Sequence, residues 1–466
     1  MMLTPCGRPA DKIEKVMLLN LWCNALQEER AYTTKKFIVA GLGKPTYPTH
    51  PETTSAYLSY WRKIAALTKE WHSTSNHDES AAIHYGDPRG DLEAKTKMSQ
   101  AMSRWYQAQI NPEHILFTIG GLGGLRVIFE ALNERYQGLP AYRVLTPFPH
   151  YSVYATNPQH RLHPIHVMNQ VGYKLTASAL ESSIKEAYQL AKIDHAWPKA
   201  IILCNPSNPL GHIIAETELI KIAEVLRGYP ELHIIFDEAY AEMCSSAMPS
   251  FLNIAPDLKD RVIILRSATK ALSTAGERMA VLIAFDAQLM HEILMKNISF
   301  CIHAPRSAQF AYAQTMLHFD DSARQKLSRY YQDKVDYVLD RLRKMGAAMP
   351  DPEYQVEATF YALGNFTDLL GLDLPQETQV ALQKTGKVST GEDIAYYLLF
   401  KDALMITPLS YFGLSKHCAY MRITCSGSQQ ELNILMDRLE HRLVEARRNR
   451  IVPPAQPLIS RQTLGY

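Results

Sequence analysis

The chain is poor in the features that mark several protein classes. Seven cysteines are scattered over 466 residues with no C-x-x-C pair. That excludes a disulfide framework or a zinc knuckle and suits buried thiols in a reducing compartment. A charge bias is missing too: the formal net charge is +2, so there is no global electrostatic footprint for nucleic acid. No apolar run approaches membrane-spanning length. The stretch CGRPADKIEKVMLLNLWCNALQEER lacks the long uncharged core of a secretory signal. With Asp11, Lys12, Glu14 and Lys15 ahead of its apolar patch, it reads as an amphipathic helix. Solenoid repeats are absent, and low-complexity segments are few. These absences lead to the expectation of a soluble, cytoplasmic protein with no nucleic-acid or membrane partner.

What is present is a rhythm. Short apolar runs alternate with turn residues and helical patterns: HILFTIGG, YRVLTPFPHY, KAIILCNPSNPLG, LHIIFDEAY and RVIILRSATK. Continuous apolar strands between amphipathic helices predict an α/β fold with a mostly parallel sheet covered on both faces. From about position 286 the pattern shifts to long helices, then to a strand ATFYALGNF, a helix GEDIAYYLLFKDAL, a strand YMRITCS and a closing helix. The length is too great for one small core. The expected organisation is an N-terminal arm and helix over 1–50, a large domain over 51–300, a small α+β domain over 301–450 and a tail over 451–466. The arm is expected to pack on the small domain, which would then draw on both chain ends.

In open α/β sheets ligands sit beyond the carboxyl ends of the strands, so the residue after each run matters. The first run ends in Gly120, Gly121, Leu122, Gly123 and Gly124, and a helix starts there. The next ends in Phe148, Pro149 and Tyr151, and the third in Asn205, Ser207 and Asn208. The fourth ends in Asp237, Glu238 and Tyr240; the fifth in Ser267, Thr269 and Lys270, with Arg278 eight residues past the lysine. Each has a bland reading. Lysine is mostly a surface residue; Asp237 suits a helix N-cap; Asn205 and Asn208 suit Asx-turns; Arg278 suits a solvated charge. The glycine turn can aim N–H groups at an anion but fits neither common nucleotide pattern. Joint occurrence at successive strand ends is what favours a site.

SATKALSTAGER resembles the lysine signature of the pyridoxal-phosphate enzymes of the aspartate aminotransferase superfamily, class I/II, fold type I. NPSNPLG resembles that family's Asn-Pro-x-Asn-Pro-Thr-Gly turn, DEAY its Asp-x-x-Tyr motif and YMRIT its C-terminal arginine strand. YGDPRGDL and GKPTYPTHP resemble its Tyr-x-x-x-x-Gly and Gly-x-Pro segments, and the order agrees from about position 40 to 425. The resemblance implies that Lys270 carries pyridoxal 5′-phosphate covalently. Ser267, Arg278 and the N–H groups near Gly121 and Leu122 would bind its phosphate. Asp237 would pair with the pyridine nitrogen, Tyr240 and Asn208 would reach the ring's phenolic oxygen, and Phe148 would stack on the ring. Tyr85 would reach the phosphate of a neighbouring subunit, which implies a homodimer with shared active sites. Arg422 would clamp the α-carboxylate, with Asn208 and Gly43 also toward the substrate. The implied reaction moves an amino group between an L-amino acid and a 2-oxo acid by a ping-pong mechanism through Lys270. The sequence departs from the pattern at Ala280 and Leu210, where glycine and threonine are usual, and in a shortened GDLEAK segment.

Two rivals stay open: a lyase, decarboxylase or cyclase using the same cofactor, and a non-enzymatic protein that kept the fold. HRLHPIH places His160, His163 and His166 three apart, but Pro164 interrupts a helix, and residues three apart on a strand face opposite sides. No metal is expected. EARRNR reads as a solvated helix end.

Overall fold

The computed structural model describes residues 12–29, 34–73 and 82–448. The tail expected over 451–466 and the chain before residue 12 lie outside the described residues. A short strand, β1 (Ile38–Val39), precedes the main sheet. Seven strands build that sheet: β2 (Ile115–Ile119), β3 (Tyr142–Phe148), β4 (His160–His166), β5 (Trp197–Cys204), β6 (His233–Asp237), β7 (Val262–Ser267) and β8 (Met279–Ala284). Their order is β2-β8-β7-β6-β5-β3-β4. β8 is antiparallel to both β2 and β7, and every other pair is parallel.

The apolar runs are continuous because both faces are covered. Along β5, Ile201 and Leu203 enter one core and Ala200 and Ile202 the other. Along β6, Ile234 and Phe236 part in the same way from Ile235. Helices Leu92–Tyr106, Ala177–Asp194, Glu216–Arg227 and Arg306–His318 cover the first face; Gly120–Arg135 and Ala287–Cys301 cover the second. The sequence reading of a mostly parallel sheet holds, with one strand unforeseen. MAVLIA forms β8, whose reversed direction starts it at the edge where its neighbours end: Ser267 lies opposite Ala280, and Ile119 opposite Met279. Arg278, one residue earlier, is thereby brought to the same edge as the other strand-end residues.

Four strands follow toward the C-terminus: β9 (Tyr361–Asn365), β10 (Leu404–Met405), β11 (Thr407–Pro408) and β12 (Tyr420–Thr424). β12 is central and antiparallel to β9 and β11. β1 pairs in parallel with β10, and Thr424 N–H donates to Ala40 O at 2.7 Å. The segment leading to Gly43 is therefore stitched to the strand that carries Arg422. The helix Lys12–Glu28 buries Leu19, Cys23 and Leu26, spaced four and three apart as one helix face requires. Its Trp22 edges onto Phe400 at 5.6 Å and its Lys15 pairs with Glu392 at 3.2 Å, both on the helix Gly391–Asp402. Among the described residues no helix is long and apolar enough to cross a membrane.

Candidate active site

The turn after β7 starts the site. Ser267 Oγ lies 2.7 Å from Thr269 Oγ1 and accepts the Thr269 N–H at 3.3 Å. The helix Gly120–Arg135 begins beside it: a Cβ on Gly121 would lie 3.7 Å from Ser267 Oγ. Gly120 has φ +64°, and a Cβ there would sit 2.7 Å from Arg278 Nη2. The positive φ favours glycine, and a Cβ would push the Arg278 guanidinium away. Ser267, Arg278 and the free N–H groups of a helix start thus meet at one point, an arrangement that binds an anion.

Lys270 projects from the same turn, and its Nζ donates to Gly43 O at 2.5 Å. Burial, then Arg422 and Arg278, push its amine down to about 8, so near neutral pH it is the uncharged nucleophile far more often than an ordinary lysine is. Asp237, the last residue of β6, is buried. Tyr154 O–H donates to its Oδ2 at 2.7 Å, and Ala239 N–H to its Oδ1 at 3.3 Å. Burial raises the carboxyl, against those two hydrogen bonds. A lone carboxylate in such surroundings favours a cation beside it.

Across the site, Arg422 Nη1 donates to Asn208 Oδ1 at 3.0 Å and Nη2 to Gly41 O at 2.8 Å. Its buried Nε makes no hydrogen bond. The guanidinium lies 4.2 Å from the Tyr361 ring centroid and 4.6 Å from that of Phe412. Tyr240 Oη is 2.9 Å from Tyr361 Oη. Gly43 faces both ends: a Cβ there would stand 2.2 Å from Tyr361 Oη and 3.1 Å from Lys270 Nζ.

Lys270, Ser267, Arg278, Gly121, Asp237, Tyr240, Asn208, Arg422 and Gly43 are accordingly brought to one edge of the sheet. Leu122, the third residue of the glycine helix, turns an exposed side chain outward. Phe148 packs on His150, 4.6 Å between centroids, and against Gly413. Tyr151 is the aromatic within electrostatic reach of Asp237, Tyr361, Arg422 and Arg278. Tyr85 stands apart, 80% exposed, its ring edge-on to His303 at 5.9 Å. The motifs passed over Tyr361 and Tyr154, which sit in runs that read as ordinary core. They also missed the cluster behind the site, where fully buried Arg266 holds Glu242 at 2.5 Å and Tyr106 Oη at 3.0 Å, and Tyr106 donates to Glu238 at 2.5 Å. The histidine run is edge strand β4, where a proline is tolerated. His160 rests on Phe129, with Nε2 2.7 Å from Tyr154 O, and no metal-binding group is found among the described residues.

The fold and this constellation agree with comparison to known proteins. The chain belongs to the class I and II aminotransferase family, whose model matches residues 46–439. It is similar to YugH of Bacillus subtilis (strain 168), a protein that carries an aminotransferase name, at 22% identity over 88% of this chain and 92% of that one. It is also similar to 1-aminocyclopropane-1-carboxylate synthase 2 of Solanum lycopersicum, at 26% identity, over 45% of this chain and 44% of that one. In structure it resembles the aspartate aminotransferase from Rhizobium meliloti, with a TM-score of 0.72 and 20% identity over 94% of this chain and 99% of that one. Proteins of this family bind pyridoxal 5′-phosphate. The donor set fits that group: an anion cradle that a Cβ on Gly120 would close, a buried carboxylate, a hydroxyl and an amide, and a depressed amine between them.

Proposed function

We propose that the protein is a pyridoxal-phosphate-dependent aminotransferase that moves an amino group between an L-amino acid and a 2-oxo acid. The observation that carries the reading is one amine, Lys270, held on Gly43 O with Arg422 and Arg278 acting on it, at the sheet edge where β6 ends in the buried carboxylate of Asp237. When bound, the cofactor supplies an electron sink for the electron pair released at the substrate's Cα. The chain's own residues do the rest. Ser267, Arg278 and the Gly121 and Leu122 N–H groups hold the phosphate. Asp237, steadied by Tyr154, keeps a proton on the ring nitrogen. Tyr240 and Asn208 hydrogen-bond the phenolic oxygen, and Phe148 or Tyr151 covers the ring face. Lys270 would hold the cofactor, and its amine would take the proton from Cα as the base. Arg422 grips the carboxylate with two parallel donors and so fixes which Cα bond faces the lysine.

The likeness to a cyclising enzyme, 1-aminocyclopropane-1-carboxylate synthase 2, supports a second reading: elimination or cyclisation with the same lysine and arginine. A panel of amino acids offered with 2-oxoglutarate or pyruvate separates the two. Aminotransfer gives a 2-oxo acid from the donor and stops without an acceptor; the alternative gives product with no acceptor present. A homodimer completes the reading. Leu122, Phe300, Ile302 and Tyr85 are exposed, with Arg126 resting on Phe300 and Tyr85 edge-on to His303. A second copy would cover these exposed apolar groups, and Tyr85 would reach the partner's phosphate. Sedimentation should show a dimer, and a monomer at micromolar concentration would remove that role from Tyr85.

A further inference from the structure

Tyr361 belongs to no motif, yet it is the side chain in contact with both ends of the site. It is fully buried at the start of β9. Its hydroxyl meets that of Tyr240 at 2.9 Å, and the Arg422 guanidinium rests 4.2 Å from its ring centroid. The bare Cα of Gly43 makes room for it, since a Cβ there would collide with the Tyr361 oxygen at 2.2 Å. Lys270 Nζ lies on the same side of Gly43.

Burial raises the pKa of both phenols, so each carries its proton at neutral pH. Each then has a single proton, and in a contact between them only one can donate. If Tyr240 donates to Tyr361, its proton is used inside the protein. If Tyr361 donates to Tyr240, the Tyr240 proton is free to point at a third oxygen. Hydrogen bonds in such a chain strengthen one another, because a phenol that accepts one bond becomes a better donor of the next. We propose that Tyr361 is a positioning residue that donates to Tyr240, aims the Tyr240 proton at the cofactor's phenolic oxygen and seats Arg422 on its ring. The inference rests on the cofactor reading above. It assigns Tyr361 two separable duties: its hydroxyl acts through Tyr240, and its ring acts through Arg422.

The test uses purified holoprotein and the pH midpoint of the bound cofactor's visible absorbance band. In Tyr361→Phe the ring stays and the donor goes. A weaker donation leaves more negative charge on the phenolic oxygen, which holds the neighbouring titrating proton more tightly. The midpoint should therefore rise, by about 0.3–1 pH unit, while KM for an amino acid stays within about twofold. In the Tyr240→Phe background the same change at Tyr361 should move nothing further. In Tyr361→Leu the ring is lost as well, and KM should rise by about tenfold or more, as a cation–π contact in a dry site allows. An unchanged midpoint in Tyr361→Phe overturns the proposal, as does a shift of equal size without the Tyr240 hydroxyl. A thermal midpoint that falls with no band shift would show a packing role alone and also overturns it. Absence of any visible band in the unmodified holoprotein would instead overturn the cofactor reading.

Discussion

At the scale of single residues, chemistry that needs one atom at one place was legible, and shared work between side chains was not. Lys270, Asp237 and Arg422 stand out in sequence because a lone amine, carboxylate or guanidinium after an apolar run is costly unless it has a partner. Tyr361 and Tyr154 do not stand out, because a tyrosine in an apolar run is normally core, and only the fold shows where its hydroxyl goes. Two substitutions test the assignments. Arg422→Lys keeps the charge but loses the planar fork, and kcat/KM for amino acids should fall by roughly 10- to 1000-fold. Amines without a carboxylate should lose much less, and an equal loss for both would make Arg422 a support of the fold. Asp237→Asn keeps an acceptor for the Ala239 N–H but cannot hold a ring-nitrogen proton by charge. Single-turnover rates should drop on the order of 10²- to 10⁴-fold with little change in thermal midpoint. A drop in stability with normal kinetics would favour a purely structural turn.

At the scale of elements, strands and helices were read well where their period was clear and poorly where a functional turn masked them. MAVLIA follows the signature directly, so its strand character was absorbed into the motif. Its reversed direction depends on a partner, β2, more than a hundred residues away. That distant pairing is also what brings Arg278 back to the glycine helix. Gly120 is the joint: φ +64° strains any residue with a Cβ, and a Cβ there would displace the Arg278 guanidinium, 2.7 Å away. Gly120→Ala should cost about 1–2 kcal/mol in the thermal or denaturant midpoint. It should also weaken phosphate retention, read as faster cofactor loss on dialysis. Unchanged retention would separate the helix start from the anion cradle. The β4 histidines show the converse error that a motif invites: regular spacing in sequence, but in the fold His160 turns to Tyr154 O while His163 and His166 both face Glu186.

At the scale of the whole molecule, the stitching of β1 to β10 was not legible, since two-residue strands carry no periodic signal. The fold also sets a pH dependence. Burial pushes His160, His163, His212 and His233 down to about 4 from 6.5. Between those values the unfolded chain takes up protons that the folded one refuses. Each such histidine thus removes about 1.4 kcal/mol of stability per pH unit as pH falls through that window. Glu238, raised to about 7, and Asp237, also raised, work in the opposite direction. Four histidines against two acids leave a net loss. The thermal midpoint should fall steadily as pH is lowered from about 7 toward 4.5. A midpoint constant across that range would contradict the burial of these rings.

The central claim is that Lys270 is the residue that carries the cofactor. Borohydride reduction of the holoprotein fixes any lysine-bound pyridoxal phosphate in place, and mass spectrometry of the digest locates it. The account predicts a single phosphopyridoxyl group, on the peptide containing Lys270, and none in Lys270→Ala. A label on another lysine, or a reduced protein with no label that still turns over amino acids, would contradict it.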